Sequence, residues 1–286
     1  MGSSRWYHSI IEALGHSRPI TSRQNAAVTR YRNVARGDDR SVVLLDGPHL
    51  ISEALVAGLT VRHAMVVNEA RPDIATLARR LEDRGIEVAS VTARVIAAAS
   101  PVRTPSGIVA LADRPSGEDA RLYRSVPLVI IASDVQDPGN VGAIVRVAEA
   151  AGATGVVAAG TCADPFGWKA LRGSMGSALR LSIAFSRSVD EAVADARNHR
   201  CRIVAAVPKQ GDSLFEVDLT PPLAILVGGE GRGLAQALLD GVDRCVTVPM
   251  TPPVESLNVA VTAALILYEA RRQRLAKSET FTIGRD

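Results

Sequence analysis

Short runs of aliphatic and β-branched residues alternate along the chain with stretches whose apolar positions recur every three or four residues. In the first part, residues 42–45, 64–67, 86–91 and 107–111 read as strands, and 52–57, 74–84 and 93–99 read as helices. The polar stretch 112–125, punctuated by Pro115 and Gly117, breaks the pattern and reads as a linker. Beyond it, strands are predicted at 128–132, 155–158, 181–185, 202–207, 223–227 and 245–248. Helices are predicted at 141–151, near 168–172, at 189–199 and at 234–239, with a long last helix over 256–276. The strands LVIIA and LAILV have no polar face, the pattern of a parallel sheet covered on both sides. The expected fold class is therefore α/β in two domains: residues 1–113, a linker at 114–125, and residues 126–286. The first residues, to about residue 20, are expected to be a flexible tail.

Composition narrows the class without fixing a function. The 286 residues are 47% hydrophobic and 22% charged, ordinary globular usage that excludes wholesale disorder. No apolar run approaches the ~18 residues of a membrane span. The N-terminal segment carries Arg5, His8 and Glu12 and lacks a signal peptide's apolar centre, so a soluble cytoplasmic protein is expected. Cys162, Cys201 and Cys245 are odd in number and form no C-x-x-C, and the five histidines form no H-E-x-x-H. Neither a disulfide framework nor a metal site is supported, and the cysteines read as small buried residues. Net charge is +3. Residues 1–125 hold 17 basic and 13 acidic side chains, against 16 and 17 in the remainder. Arg18, Arg23, Arg30, Arg32, Arg36 and Arg40 cluster against only Asp38 and Asp39. Guanidinium groups bind phosphate in a two-pronged manner, so this lobe suits a nucleic-acid backbone. The 30 Arg against 3 Lys equally fit a general compositional bias.

In an open parallel sheet, ligands sit outside the carboxyl ends of the strands. Three predicted loops there carry chemistry: 134–146, 228–234 and 249–258. No Gly-Lys pair exists, which excludes a P-loop. Gly228, Gly229, Gly231 and Gly233 do not fit G-x-G-x-x-G, because Leu234 stands at its last glycine. Those glycines can let backbone amides approach a ligand, with Glu230 as an isolated acid among them. Asn140 stands at a natural N-cap position. Arg146 follows it among apolar Ile144, Val145 and Val147, either as a snorkelling side chain or as a functional one. Ser256 and Asn258 open the last helix. Ser256 reads as a cap, and without a histidine nearby in sequence it makes a poor hydrolase nucleophile.

Together, Asn140-Val-Gly-Ala-Ile-Val-Arg146, then Gly228-Gly-Glu230-Gly-Arg-Gly233-Leu, then Val248-Pro-Met250 with Ser256-Leu-Asn258, resemble the three ordered motifs of the SpoU (TrmH-like) family. These are S-adenosylmethionine-dependent RNA 2′-O-ribose methyltransferases of the SPOUT class. The segment Lys169-Ala-Leu-Arg172-Gly-Ser174-Met-Gly176 resembles the family's basic loop. Residues 1–113 resemble the L30e-like RNA-binding module often attached to these enzymes, with Asp46 and Ser106 where that module more commonly has Glu and Gln.

The resemblance implies a SPOUT domain with a deep trefoil knot formed by the second and third loops, against the usual topology rules. It implies S-adenosyl-L-methionine as cofactor, contacted by the backbone at Gly228, Val248 and Leu257, with no metal. It implies a homodimer whose site is completed at the subunit interface, and an RNA partner, with no membrane. The catalytic set it carries is Arg146, Asn140, Glu230, Ser256 and Asn258. Ribosomal RNA is the expected substrate, since tRNA-modifying relatives rely on terminal helical extensions where this chain has a separate N-terminal domain. The alternatives are a tRNA 2′-O-methyltransferase and an inactive RNA-binding protein of this fold. The last helix also offers Val259, Ala263, Ile266 and Leu267 as a stripe that either a partner or the chain's own core could bury.

Overall fold

The computed structural model describes residues 19–116, 121–229 and 233–283, the stretch 278–283 for its backbone alone. The expected N-terminal tail with Arg18, the glycines Gly117 and Gly231, and Glu230 lie outside the described residues. The chain divides into two compact units, Met1–Pro115 and Ser116–Asp286.

In the first unit a four-stranded sheet has the order β1 (Val42–Asp46), β4 (Ile108–Asp113), β2 (Val61–Val67), β3 (Glu87–Val91). Only β2 and β3 are parallel to each other. Helices α2 (Pro48–Val56), α3 (Pro72–Glu82) and α4 (Ala93–Ala99) accompany them. A further helix, α1 (Ala26–Arg36), forms within the arginine-rich segment. Asn25 Oδ1 caps it by accepting from Ala27 N, and Gly37 in a left-handed conformation ends it. Only Val28 and Tyr31 of this helix are fully buried, too thin a stripe to stand out among its polar residues.

The arginines of that segment are partly occupied locally. Arg32 donates to the Ala98 carbonyl at 3.0 Å, while Arg30 and Arg36 pair with Asp39 and Asp38 at 3.7 and 3.3 Å. Arg23 and Arg40 are exposed.

The second unit is built on seven parallel strands in the order β7-β6-β5-β10-β8-β11-β9. These are β5 (Leu128–Ser133), β6 (Gly155–Ala159), β7 (Ser182–Ser186), β8 (Arg202–Ala206), β9 (Asp212–Ser213), β10 (Leu223–Gly228) and β11 (Arg244–Thr247). The helices are α5 (Pro138–Ala151), α6 (Trp168–Ser174), α7 (Val189–Asn198), α8 (Gln236–Leu239) and α9 (Val259–Ile283). Both faces of the central strands are covered, as the unbroken apolar runs require. Val129, Ile131, Ala224 and Leu226 share a core cluster with Ala192, Val193 and Ala196 of α7. The alternate residues Ile130, Val204 and Ile225 are equally buried. Helix α5 packs closely on α6, because a Cβ at Gly142 would lie 2.4 Å from the Ala170 carbonyl oxygen.

The polar stretch 112–125 takes part in structure at both ends. Ala112 and Asp113 belong to β4. Leu122 enters the second unit's core, and Tyr123 stacks on His199 with ring centroids 3.9 Å apart.

The last helix starts at Val259, later than the apolar pattern suggests, and packs against α5. Its stripe of Val259, Ala263, Ile266 and Leu267 is buried within its own unit. Val261, Leu265 and Tyr268, on another face, are 48, 41 and 49% exposed. Near its end, Arg274 donates to the carbonyls of Leu219, Val126, Pro127 and Pro221, and Gln273 brackets Val217 and Leu219. Those bonds tie α9 to the segments entering β5 and β10.

Candidate active site

The chemistry gathers at the carboxyl edge of the seven-stranded sheet, where β5 and β10 lie side by side with Gly228 opposite Ser133. One further bond, Gly229 N to Ser133 O at 2.8 Å, prolongs the pairing before the strands separate. Asp134 then turns the chain with φ at 53°. Its carboxylate accepts from both the backbone N and the Oγ1 of Thr161, each at 2.8 Å. Those bonds, the backbone one foremost, hold the Asp134 carboxyl below its ordinary value.

The cap of α5 is Asp137, whose Oδ1 accepts from Asn140 N at 2.9 Å, with Pro138 at the first helical position. This corrects the expectation that Asn140 is the cap. Proline is pre-set for the first position of a helix, which moves the start three residues earlier. Asn140 instead sits inside the first turn, and its Oδ1 accepts from Asn258 Nδ2 at 3.0 Å. Asn258, in turn, caps α9: its Oδ1 accepts from Ala260 N at 2.9 Å and Val261 N at 3.3 Å. Ser256 is therefore not the cap. Since the Asn258 carbonyl faces the helix N–H groups, its amide nitrogen must face Asn140, which fixes the direction of the bridge.

The glycines of the second loop answer to crowding inside the protein. A Cβ at Gly228 would lie 2.8 Å from the Gly233 carbonyl carbon, and one at Gly229 would lie 2.2 Å from the Asp134 carbonyl oxygen. Backbone passes backbone there without room for a side chain.

Two cavities flank this loop, and Gly229 and Gly233 line both. The first, about 790 Å³, has walls of Val227, Gly228, Leu239, Val248 and Leu257, with Ser256 and Asn258 among its polar groups. Lys209 and Glu255 stand at it as an ion pair. The second, about 680 Å³, is polar and is lined by Asp134, Gln136, Asp137, Asn140 and Thr161. Apolar walls, exposed backbone and a few convergent polar groups suit a flat heteroaromatic ligand with a charged end in the first. The second suits a polyhydroxylated group. Among the described residues no histidine lines either cavity, and no cluster of three or more His, Cys, Asp or Glu could hold a metal.

Of the residues singled out from sequence, Gly228, Val248, Leu257, Ser256 and Asn258 line the first cavity and Asn140 the second. Arg146 is exposed on α5 and lines neither, with no ion-pair partner among the described residues. Sequence reasoning passed over Lys209, Glu255, Thr161 and Gln136. A usable signal existed for Lys209, one of only three lysines, directly past the carboxyl end of a predicted strand.

No helix of the described residues is long and apolar enough to cross a membrane. The three cysteines are free, Cys201 buried and the other two half-buried. Burial pushes the Cys162 thiol up to about 11.

Comparison with known proteins places these features. Residues 127–268 match the model of the SpoU rRNA Methylase family, and residues 35–110 match that of the MRM3-like substrate binding domain. An uncharacterized tRNA/rRNA methyltransferase of Synechocystis is 33% identical over 266 residues, covering 91% of this chain and 95% of that protein. The 23S rRNA (guanosine(2553)-2′-O)-methyltransferase RlmP of Bacillus subtilis is 30% identical over 88% of this chain and 98% of its own. The SpoU methyltransferase AviRb of Streptomyces viridochromogenes, solved in complex with the cofactor AdoMet, superposes with a TM-score of 0.77 at 28% identity, over 88% of this chain and all of its own.

Proposed function

Because the chain belongs to the SpoU rRNA methylase family, we propose that it is an S-adenosylmethionine-dependent methyltransferase acting on a ribose 2′-hydroxyl of ribosomal RNA. The observation that carries this reading is the Asn140–Asn258 bridge. It joins the apolar cavity to the polar one across a loop of glycines that lines both. The cofactor takes the apolar cavity, along the backbone at Gly228, Val248 and Leu257, and the target nucleotide takes the polar one. When bound, the cofactor supplies a methyl group already activated by its sulfonium, so the chain's own task is alignment and proton management.

A guanidinium is too weak an acid to act as a general base in a protein, so the role left to Arg146 is one of charge and geometry. Its guanidinium clamps a phosphate of the target and stabilises negative charge growing on the 2′-oxygen, whose proton leaves to that phosphate or to water. Asn140 orients the ribose, held in place by its bond from Asn258. Ser256 positions substrate at the rim, and Glu230 orients Arg146 and the ribose.

Arg146 lies on an exposed face of α5 with Gly139 and Ala150. Helix α9, packed against α5, leaves Val261, Leu265 and Tyr268 uncovered. A second copy seated on these faces forms a homodimer, in which Arg146 of one protomer serves the cavities of its partner. The C-terminal segment forms the trefoil knot that the family resemblance implies, and residues 1–113 supply affinity for RNA. A ribosomal RNA substrate supports a cytoplasmic location.

The test is ribose-methylation mapping across rRNA and tRNA in a deletion strain. One 2′-O-methyl lost from ribosomal RNA and restored by the purified protein supports the reading. A site lost from tRNA alone moves the enzyme to that substrate, and no loss in either leaves an RNA-binding protein.

A further inference from the structure

The first cavity is apolar or neutral except at one place. Among its described lining residues only Lys209 and Glu255 carry charge, and they face each other, Nζ to Oε1, at 3.4 Å. The two come from different segments. Lys209 lies past β8, and Glu255 stands in the loop ahead of α9. The Lys209 segment is pinned on both sides of it. Val207 N donates to Val246 O at 2.9 Å, and Gly211 N donates to Thr247 Oγ1 at 3.0 Å. A Cβ at Gly211 would lie 2.9 Å from the Cys245 carbonyl, so this loop sits tight against β11. Both charged side chains are largely exposed, at 65 and 82%. An exposed pair of this kind contributes little to stability, so the fold gives no reason for it.

The cofactor's own chemistry gives one. Resting on the cofactor reading above, the ligand has a neutral, flat adenine at one end and an amino-acid tail at the other. That tail carries a carboxylate and an ammonium, both ionised near neutral pH. Charges are costly to desolvate unless paired, so the adenine belongs against the apolar wall and the tail at the rim. The rim presents one cation and one anion, at a spacing that a zwitterion can bridge.

We propose that Lys209 and Glu255 read the zwitterionic amino-acid end of S-adenosylmethionine, Lys209 taking the carboxylate and Glu255 the ammonium. The pair parts as the tail inserts, and each side chain exchanges its protein partner for a ligand group. The two residues thereby distinguish the complete cofactor from adenosine thioethers without the tail. They touch neither the methyl group nor the ribose, so they act on affinity and selectivity rather than on the transfer itself.

Calorimetry on the full chain decides the matter, with three probes: S-adenosylmethionine, its decarboxylated form and 5′-methylthioadenosine. Lys209→Met keeps the aliphatic stem, and Glu255→Gln keeps the shape. Wild type should bind the complete cofactor at least about tenfold more tightly than 5′-methylthioadenosine. Each variant should lose about three- to tenfold for the complete cofactor and nothing for 5′-methylthioadenosine. Lys209→Met should also bind the decarboxylated form as wild type does, since the partner of its ammonium is already missing. Unchanged affinity for the complete cofactor in both variants overturns the proposal. So does an equal loss for all three probes, which would mean general damage to the cavity. Wild type binding none of the probes sinks the cofactor reading itself and this inference with it, a result the variants cannot mimic.

Discussion

The two edges of the seven-stranded sheet use the same kinds of residue in opposite ways. At the amino edge, polar groups are saturated: Arg274 meets four backbone carbonyls, and Gln273 both donates to Val217 O and accepts from Leu219 N. At the carboxyl edge, glycines bring backbones together and strands part around two cavities. Arg146, in the third turn of the α5 helix that leaves this edge, stands exposed with no ion-pair partner among the described residues. An arginine with four of its five N–H donors used inside the fold is a structural tie. One that the fold leaves to solvent is available for a ligand. The difference lies in the partners, since the guanidinium is the same, and on the function proposed above it separates stability from catalysis.

Exchanging the two arginines for inert side chains should break the comparison cleanly, with the larger effect at Arg146. Arg146→Ala should lower single-turnover methylation about 10²–10³-fold, roughly 3–4 kcal/mol of transition-state stabilisation. Cofactor affinity and the melting midpoint should stay at wild-type values, because alanine favours helix and no cap is touched. Arg146→Lys should recover little, since an ammonium cannot reproduce the planar fork. A near-normal rate in Arg146→Ala would make the residue a snorkelling side chain.

Arg274→Met should do the reverse. Its carbonyl partners lose their donors in partly buried surroundings, and urea unfolding should register a loss of about 2–4 kcal/mol. Binding of the cofactor at the opposite edge should persist in the folded fraction. If stability is unchanged, water has replaced the guanidinium and the amino edge is less saturated than it looks.

The sequence made some of this contrast visible and hid the rest. Strands such as Leu128–Ser133 and Leu223–Gly228 are legible because both faces are buried, which leaves an unbroken apolar run. Helix α1 was not, because two buried residues, Val28 and Tyr31, do not make a visible period. Residues holding a backbone together, such as Gly228 and Gly229, can be picked out by type. What crowds them cannot: Gly233 and Asp134 are neighbours only in space. The same limit applies to pairs. The bridge from Asn140 to Asn258 spans 118 positions, and the Lys209–Glu255 pair spans 46. The caps are ambiguous in the sequence for a local reason. Asp and Asn are nearly equal as caps, so Asp137 and Asn140 compete on paper until Pro138 is weighed.

Asn258 belongs to both sides of the comparison, because it stabilises a helix and also holds Asn140, the residue proposed to orient the ribose. Asn258→Ala should cost about 1 kcal/mol through the lost cap and should lower methylation as well. Asn258→Asp separates the two contributions. Its carboxylate still accepts from Ala260 N and Val261 N near the positive end of α9, so stability should return. It cannot donate to Asn140, so methylation should stay low. Full activity in Asn258→Asp would detach the bridge from function.

The smallest expected effect tests a further structural tie at the carboxyl edge, besides the caps and the Asn140–Asn258 bridge. The candidate is Asp134, the residue that turns the chain as β5 ends, with its carboxylate held by Thr161. Thr161→Val removes the hydroxyl donor and leaves the backbone N–H in place. A hydrogen bond to a charged group is worth about 1.5–3 kcal/mol when shielded, but both residues are exposed here, so roughly 0.5–1 kcal/mol is expected. The sign with pH follows from the depressed carboxyl. A group whose folded value lies below its unfolded 3.8 contributes stability that is complete above 3.8 and disappears as pH falls through the folded value. The stability gap between wild type and Thr161→Val should thus be present at neutral pH and close in acid. Directly, the carboxyl carbon of Asp134, followed by NMR against pH, should titrate at a higher pH in the variant while remaining below 3.8. Identical titration curves would show that the backbone bond alone sets the carboxylate. The turn would then be held by the main chain, and the Asp134 carboxylate would be no tie comparable to Arg274.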